Sequence, residues 1–246
     1  MLNERSKQVR RDAIALSKAN GGYHYGGSFS CAEILIALFD SIMNKEDRFV
    51  QSKGHGCWVY YVLLRELGLN PTLEGHPHYE PENGIYCTAG SMGHGLPVSM
   101  GMAKARKLKG EKSKVYTLMG DGECQEGTTW ESILIAGHLK LDNLVVIVDN
   151  NKIQGSGRVG DIMPVEQPLM SAASCAGWDV IRIDGHNDDL IEKSYGNKMF
   201  YNQKKPILVV ADTIKGKGVS FMEDQPSWHS NWMGPELEKQ ALQELS

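Results

Sequence analysis

Residues 115–153 read VYTLMGDGECQEGTTWESILIAGHLKLDNLVVIVDNNKI. Val115 to Met119 is a short apolar run, and Leu144 to Val148 is a second, unbroken by any polar residue, as in a strand buried on both faces. Between them, Glu126 to Lys140 reads as a helix. A strand, a helix and another strand in that order predict two parallel strands joined by a crossover. The alternation continues with Val180 to Ile183, a polar helix near Asp188 to Met199, and Ile207 to Val210. The expected fold is α/β, a doubly wound, mostly parallel sheet with helices on both faces. Ligands of such sheets sit at the carboxyl ends of the strands, so the residues just after each strand are the ones to question.

Working outward, Glu4 to Ala19 places Val9, Ala13 and Leu16 at helical spacing. A glycine-rich break, Gly21 to Gly27, follows. Ser30 with Glu33 reads as a capping box opening a helix through Ile42. A further helix runs from just after His55 to Leu67 and stops at Gly68. Asn70 to Cys87 reads as a long loop, which in a compact domain is usually functional. Another helix spans about Gly95 to Lys109, ending at Gly110. Asp224 to Ser246 is a polar tail with a short helix. The 246 residues fit one domain.

The net charge of −4 gives no basic footprint, so the reading is no nucleic acid and no membrane surface. No stretch approaches the roughly 18 apolar residues of a membrane span, and Met1 to Arg11 lacks the apolar core of a secretion signal. The five cysteines are odd in number and lack metal-type spacing, which points to reduced thiols in the cytoplasm.

Gly120-Asp121-Gly122-Glu123 directly follows the first buried strand, and Asp149-Asn150-Asn151-Lys152-Ile153 the second. Each alone is an ordinary turn. Together, thirty residues apart across a strand–helix–strand unit, they offer hard oxygen ligands at adjacent strand ends. That suits a magnesium ion which keeps the rest of its octahedron for phosphate and water, beside a helix start that favours an anion. His24, His55, His76, His94 and His229 all fall in loops or at loop–helix junctions, where imidazoles can exchange protons near neutrality. Blander readings stand beside these. Glu126 and Glu131 fit a helix first turn, Lys215 and Lys217 solvated cations of a flexible loop, and Trp58 to Leu64 a core stripe. Cys124 lacks a paired base and reads as structural.

The run Gly120-Asp121-Gly122 with Asn151, and the text Gly120 to Asn143 around it, resembles the thiamine-diphosphate motif of transketolases, above all their stand-alone N-terminal subunits. Ser52-Lys53-Gly54-His55-Gly56 resembles the family's histidine loop, Gly75-His76-Pro77 its substrate-side histidine, and Gly90-Ser91-Met92-Gly93-His94-Gly95 its glycine-rich cofactor loop. Lys215-Gly216-Lys217-Gly218 with Trp228-His229 resembles the end of the domain. The similarity covers nearly the whole chain. It implies thiamine diphosphate and Mg2+ as cofactors, with Asp121, Asn151 and the Ile153 carbonyl as metal ligands. It implies that Gly122 and His55 contact the diphosphate, that His229 lies near it and Asn151 also belongs to the cofactor site, and that Gly90, Ser91 and Met92 line the pocket. His24, His76 and His229 would face the substrate, and Glu126 would match the glutamate linking two active sites of a dimer.

The resemblance further implies a partner chain, a C-terminal transketolase-like subunit bearing the pyrimidine-binding domain, in an α2β2 assembly. The expected activity moves a two-carbon ketol unit from a small-molecule sugar, a ketose, to an aldose. Two departures fall near the reacting end: Tyr23-His24-Tyr25-Gly26 replaces the usual Gly-His-(Ile/Pro)-Gly turn, and Gly155-Ser156-Gly157 replaces Ile-Asp-Gly. They leave open a carrier protein's lipoyl or acyl-carrier thiol as acceptor. A generic nucleotide-binding protein and an inactive regulatory subunit are the competing readings.

Overall fold

The computed structural model describes residues 2–21, 23–191 and 204–246. Among them, five parallel strands form one sheet: β1 Arg48–Gln51, β2 Val115–Gly120, β3 Leu144–Asn150, β6 Asp179–Asp184 and β7 Ile207–Asp212. Their spatial order is β1-β2-β3-β7-β6. β4 Ile153–Gln154 and β5 Gly157–Arg158 make a separate antiparallel pair. Every residue of β2 and β3 is buried, as their continuous apolar sequence requires of a sheet covered on both faces. Gly120 pairs with Asp149 across the sheet. The two strands therefore end level, and the turns after them, with Asp121 and Asn151, lie side by side.

Helices α1 Glu4–Ala19, α2 Tyr25–Ser30, α3 Ala32–Ala37 and α4 Cys57–Glu66 pack in one apolar cluster with one face of the sheet. Helices α5 Gly95–Leu108, α6 Gly127–His138 and α8 Glu166–Cys175 share the cluster on the other face. The short α7 Val159–Ile162 precedes α8, and Pro235–Glu244 forms the helix of the tail. The Trp58–Leu64 stripe is core, every residue in it being buried. Residues 188–191 begin the polar helix expected near Asp188; the rest of that segment lies outside the described residues. β1 was not anticipated, because four residues opening on Arg48 give too short a pattern to read.

The capping box at Ser30 is a correction. The chain is already helical from Tyr25, inside the glycine-rich stretch, and Ser30 donates its hydroxyl to Asp149 (2.6 Å) rather than capping a helix. Glycine makes this earlier helix possible: a Cβ on Gly27 would sit 2.6 Å from the His55 ring. Close packing has overridden local propensity.

Glu33 was the other half of that expected box. It forms a two-pronged ion pair with Arg10 (2.7 and 3.0 Å), and its second oxygen also meets His186. Both partners of the Arg10 pair are buried. Burial alone would raise the Glu33 pKa, but Arg10 and His186 outweigh it and bring it from 4.5 down to about 2. A depressed carboxylate stabilises the fold fully above its unfolded value and loses that contribution as pH falls through the folded one. Stability should therefore drop by up to about 3 kcal/mol between pH 4.5 and 2 on account of this group. Urea unfolding measured across that window should show the acid limb flattened in Glu33→Gln; an unchanged limb would contradict the assignment.

Candidate active site

A cavity of about 310 Å³ opens at the carboxyl ends of β2 and β3. Its floor is the pair of turns. Asp121 accepts hydrogen bonds from the backbone N–H of Gly122 (2.7 Å) and of Lys152. Lys152 lies in the left-handed region, φ 67°, which folds the chain back on itself here. The Asn151 amide nitrogen donates to Asp149 (2.9 Å), and its oxygen accepts from the Ile153 N–H (3.1 Å). Asp149 is itself buried and fixed by Lys53, Ser30 and Thr213. The Asn151 amide is therefore aimed by a buried carboxylate rather than free to rotate.

Asp121, Asn151 and Ile153 all line the cavity, with Gly122. Burial, and then the neighbouring Asp149 charge, push the Asp121 carboxyl up to about 7. It is a desolvated acid whose charged form wants a cation. Among the described residues no three His, Cys, Asp or Glu side chains converge as a complete metal cluster. One carboxylate, one amide oxygen and one carbonyl are hard donors that suit a magnesium ion completed by phosphate and water.

Lys215 is a second correction. It is not solvated but fully buried, donating to the Ile153 carbonyl (3.0 Å) and to His229 Nδ1 (3.1 Å). Burial, then repulsion from Lys53, lowers its pKa to about 8. The sequence around it gave only glycines and lysines, and nothing local announced that the β7 turn would fold it inward. Lys53 was likewise missed as a charge partner of the floor, since the acid it bonds, Asp149, is distant in sequence.

The walls bring together four of the loop histidines. The His24 ring lies 5.5–5.7 Å from those of His55, His76 and His229, and His55 and His229 are 4.7 Å apart. His24, at φ 68°, directs Nδ1 at the His229 carbonyl. A carbonyl only accepts, so Nδ1 carries the proton and Nε2 is left as a bare acceptor. Burial lowers all four pKa values, that of His229 to about 3, with Lys215 adding repulsion. At neutral pH the walls are uncharged imidazoles.

Gly90 and Met92 line the cavity too. Ser91 does not, its hydroxyl being turned to His94 (3.0 Å). Glu126 also lies off the lining, half-buried at the N-terminus of α6. Cys124 is buried, its thiol on the Gly120 carbonyl and its pKa driven far up by burial, so it is inert as a nucleophile. Glu123 lines the cavity and was missed; in sequence it is one more acid beside a turn.

Fold and site define an α/β domain whose ligand cavity opens at paired strand ends. The thiamine diphosphate binding domain of transketolase matches residues 4–245, and the chain belongs to the transketolase family. It is 37% identical to one of the subunits of the apulose-4-phosphate transketolase of Actinobacillus succinogenes, over 99% of this chain and 95% of that one. It is 36% identical to the 6-deoxy-6-sulfo-D-fructose transketolase subunit SqwG of a Clostridium species, over 99% and 96%. The transketolase structure from Campylobacter jejuni superposes with a TM-score of 0.84 at 27% identity, covering 98% of this chain but only 42% of that one. The chain is thus of the split, transketolase-like kind, a subunit of a ketol transferase. Among the described residues no helix is long and apolar enough to cross a membrane.

Proposed function

We propose that this subunit binds thiamine diphosphate through Mg2+ held by Asp121, Asn151 and the Ile153 carbonyl. In this reading residues 1–246 are one diphosphate-binding domain, and a partner subunit with the pyrimidine-binding domain completes the active site in an α2β2 enzyme. The observation carrying it is the cavity floor, where Asp121, Asn151 and Ile153 line one cavity and the Asp121 carboxyl is held buried. The Gln154 amide oxygen supports the fit. Among the described residues it is a buried acceptor without a hydrogen-bond partner in the same wall, of the kind a metal-bound water satisfies.

When bound, thiamine diphosphate supplies the breaking and making of the carbon–carbon bond next to a ketose carbonyl. The chain's own residues hold and orient. Gly122 and His55 face the diphosphate, and Gly90, Ser91 and Met92 belong to its loop. Lys215, already on the Ile153 carbonyl, adds positive charge beside the same floor. His24 Nε2 can take a proton from a sugar hydroxyl, and His76 and His229 flank it as neutral donors or acceptors. Glu126, outside the cavity, is assigned to the contact between two copies.

The relatives named for apulose-4-phosphate and 6-deoxy-6-sulfo-D-fructose favour a ketose with an anionic end as donor, and an aldose rather than a carrier protein's thiol as acceptor. The unpaired cysteines support the cytoplasm as its compartment. The test is reconstitution. The purified chain given thiamine diphosphate and MgCl2 should transfer no ketol unit, and adding the co-purifying partner should restore turnover. Robust turnover by the single chain would sink the proposal.

A further inference from the structure

Glu123 is not among the proposed cofactor contacts, yet its carboxylate is buried in the cavity wall at 4% exposure. One oxygen accepts from the Ser52 hydroxyl (2.5 Å) and the Gly93 N–H (3.1 Å), the other from the Gly120 N–H (3.0 Å). These three donors come from three separate segments. Ser52 leads into His55, Gly93 lies in the loop carrying Gly90 and Met92, and Gly120 precedes Asp121. A single side chain therefore ties together the parts that shape the cavity.

Close packing also seats the glycine-rich loop against its neighbours. Gly93 has φ +76°, and its carbonyl accepts from Thr128 Oγ1 (3.2 Å). A Cβ on Gly95 would fall 2.4 Å from Ser52 Cβ and Oγ, so loop and histidine segment touch directly at the point Glu123 holds. Among the described residues the carboxylate makes no hydrogen bond or ion pair with a cationic side chain; two backbone N–H groups and a hydroxyl bond it directly, and the Lys53 charge acts on it from further off. Charge-assisted bonds of this kind are short and directional. A glutamine in its place offers one acceptor oxygen to three donors and turns its own N–H2 toward the remainder.

The geometry points to Glu123 as a positioning residue: it holds the Gly90–Gly95 loop and the Ser52–His55 segment in register with the Asp121 turn. The cavity is thereby shaped for thiamine diphosphate before the cofactor arrives. This rests on the proposed cofactor reading, and the two can fail separately.

The test uses the co-purified two-chain enzyme carrying Glu123→Gln. Calorimetry at saturating Mg2+ should show thiamine diphosphate bound roughly 10–100-fold more weakly, the scale on which supporting residues act, while kcat at saturating cofactor stays within a few-fold of wild type. Hydrogen exchange should quicken in peptides covering 52–56 and 89–96, not in β3, and slow again when cofactor saturates the site. Ser52→Ala keeps the carboxylate and removes one donor; it should weaken binding roughly 3–10-fold, with the thermal midpoint lowered by no more than roughly 10 °C. Affinity within twofold of wild type in both variants, with wild type binding normally, overturns the positioning role alone. A wild type that binds no cofactor overturns the reading beneath it. If Glu123→Gln does not fold, Ser52→Ala decides, and unchanged affinity there overturns the proposal.

Discussion

Asp121→Ala in the reconstituted enzyme is expected to abolish magnesium-dependent thiamine diphosphate binding, with affinity falling by more than about 100-fold, since even the supporting residues of a metal site are worth 10–100-fold. The substitution removes the only carboxylate among the three floor donors. A calorimetric titration with and without Mg2+ measures it, and retained metal-dependent affinity would remove Asp121 from the ligand set. Stability should move the other way. The metal-free Asp121 carboxyl, lifted to about 7 chiefly by burial, binds its proton more tightly folded than unfolded. Its contribution to stability therefore declines as pH rises toward and through 7. At pH 8 without metal, Asp121→Asn should melt no lower than wild type while gaining nothing from Mg2+ and cofactor. A variant that merely misfolded would lose in both conditions.

Much of this site was legible because chemistry and topology coincide there. Strand ends are marked by a switch from apolar to polar residues, and parallel register then sets Gly120 beside Asp149 whatever the details. The turns carrying Asp121 and Asn151 could thus be paired from sequence, the inner face of α1 followed from its helical spacing, and β7 from its apolar run. Interactions joining residues far apart in sequence were not legible. Lys215 and Lys53 read as ordinary lysines until Ile153, His229 and Asp149 were seen around them. Ser30 and Glu33 satisfied a local capping rule, yet they bond to Asp149 and Arg10, over 100 and 23 residues away. Tertiary pairing of polar groups leaves no periodic trace, and in this protein it is what aims the ligands.

The Lys53–Asp149 pair supplies the second large effect. Both side chains are fully buried. Burial works against the Lys53 charge, but Asp149 holds its pKa above the usual lysine value, and Lys53 in turn draws that of Asp149 down. Lys53 also donates to the Gly27 carbonyl (2.7 Å), so it fastens α2 to the end of β3. Lys53→Met leaves a carboxylate in the interior with hydroxyl and amide donors but no bonded countercharge, which should cost about 3–5 kcal/mol. For a chain of this size that lowers Tm by roughly 6–20 °C. Because Asp149 also orients the Asn151 amide (2.9 Å), cofactor affinity should fall in the same variant. Adding Asp149→Asn removes the stranded charge while keeping one acceptor oxygen, for either Ser30 or Thr213, which bond different oxygens of the carboxylate. The double variant should therefore be more stable than Lys53→Met alone, with a coupling energy of about 0.5–3 kcal/mol in the thermodynamic cycle. Strictly additive losses would mean that the two charges are held independently. In that case the aim of Asn151 would rest on Ser30 and Thr213 rather than on the ion pair.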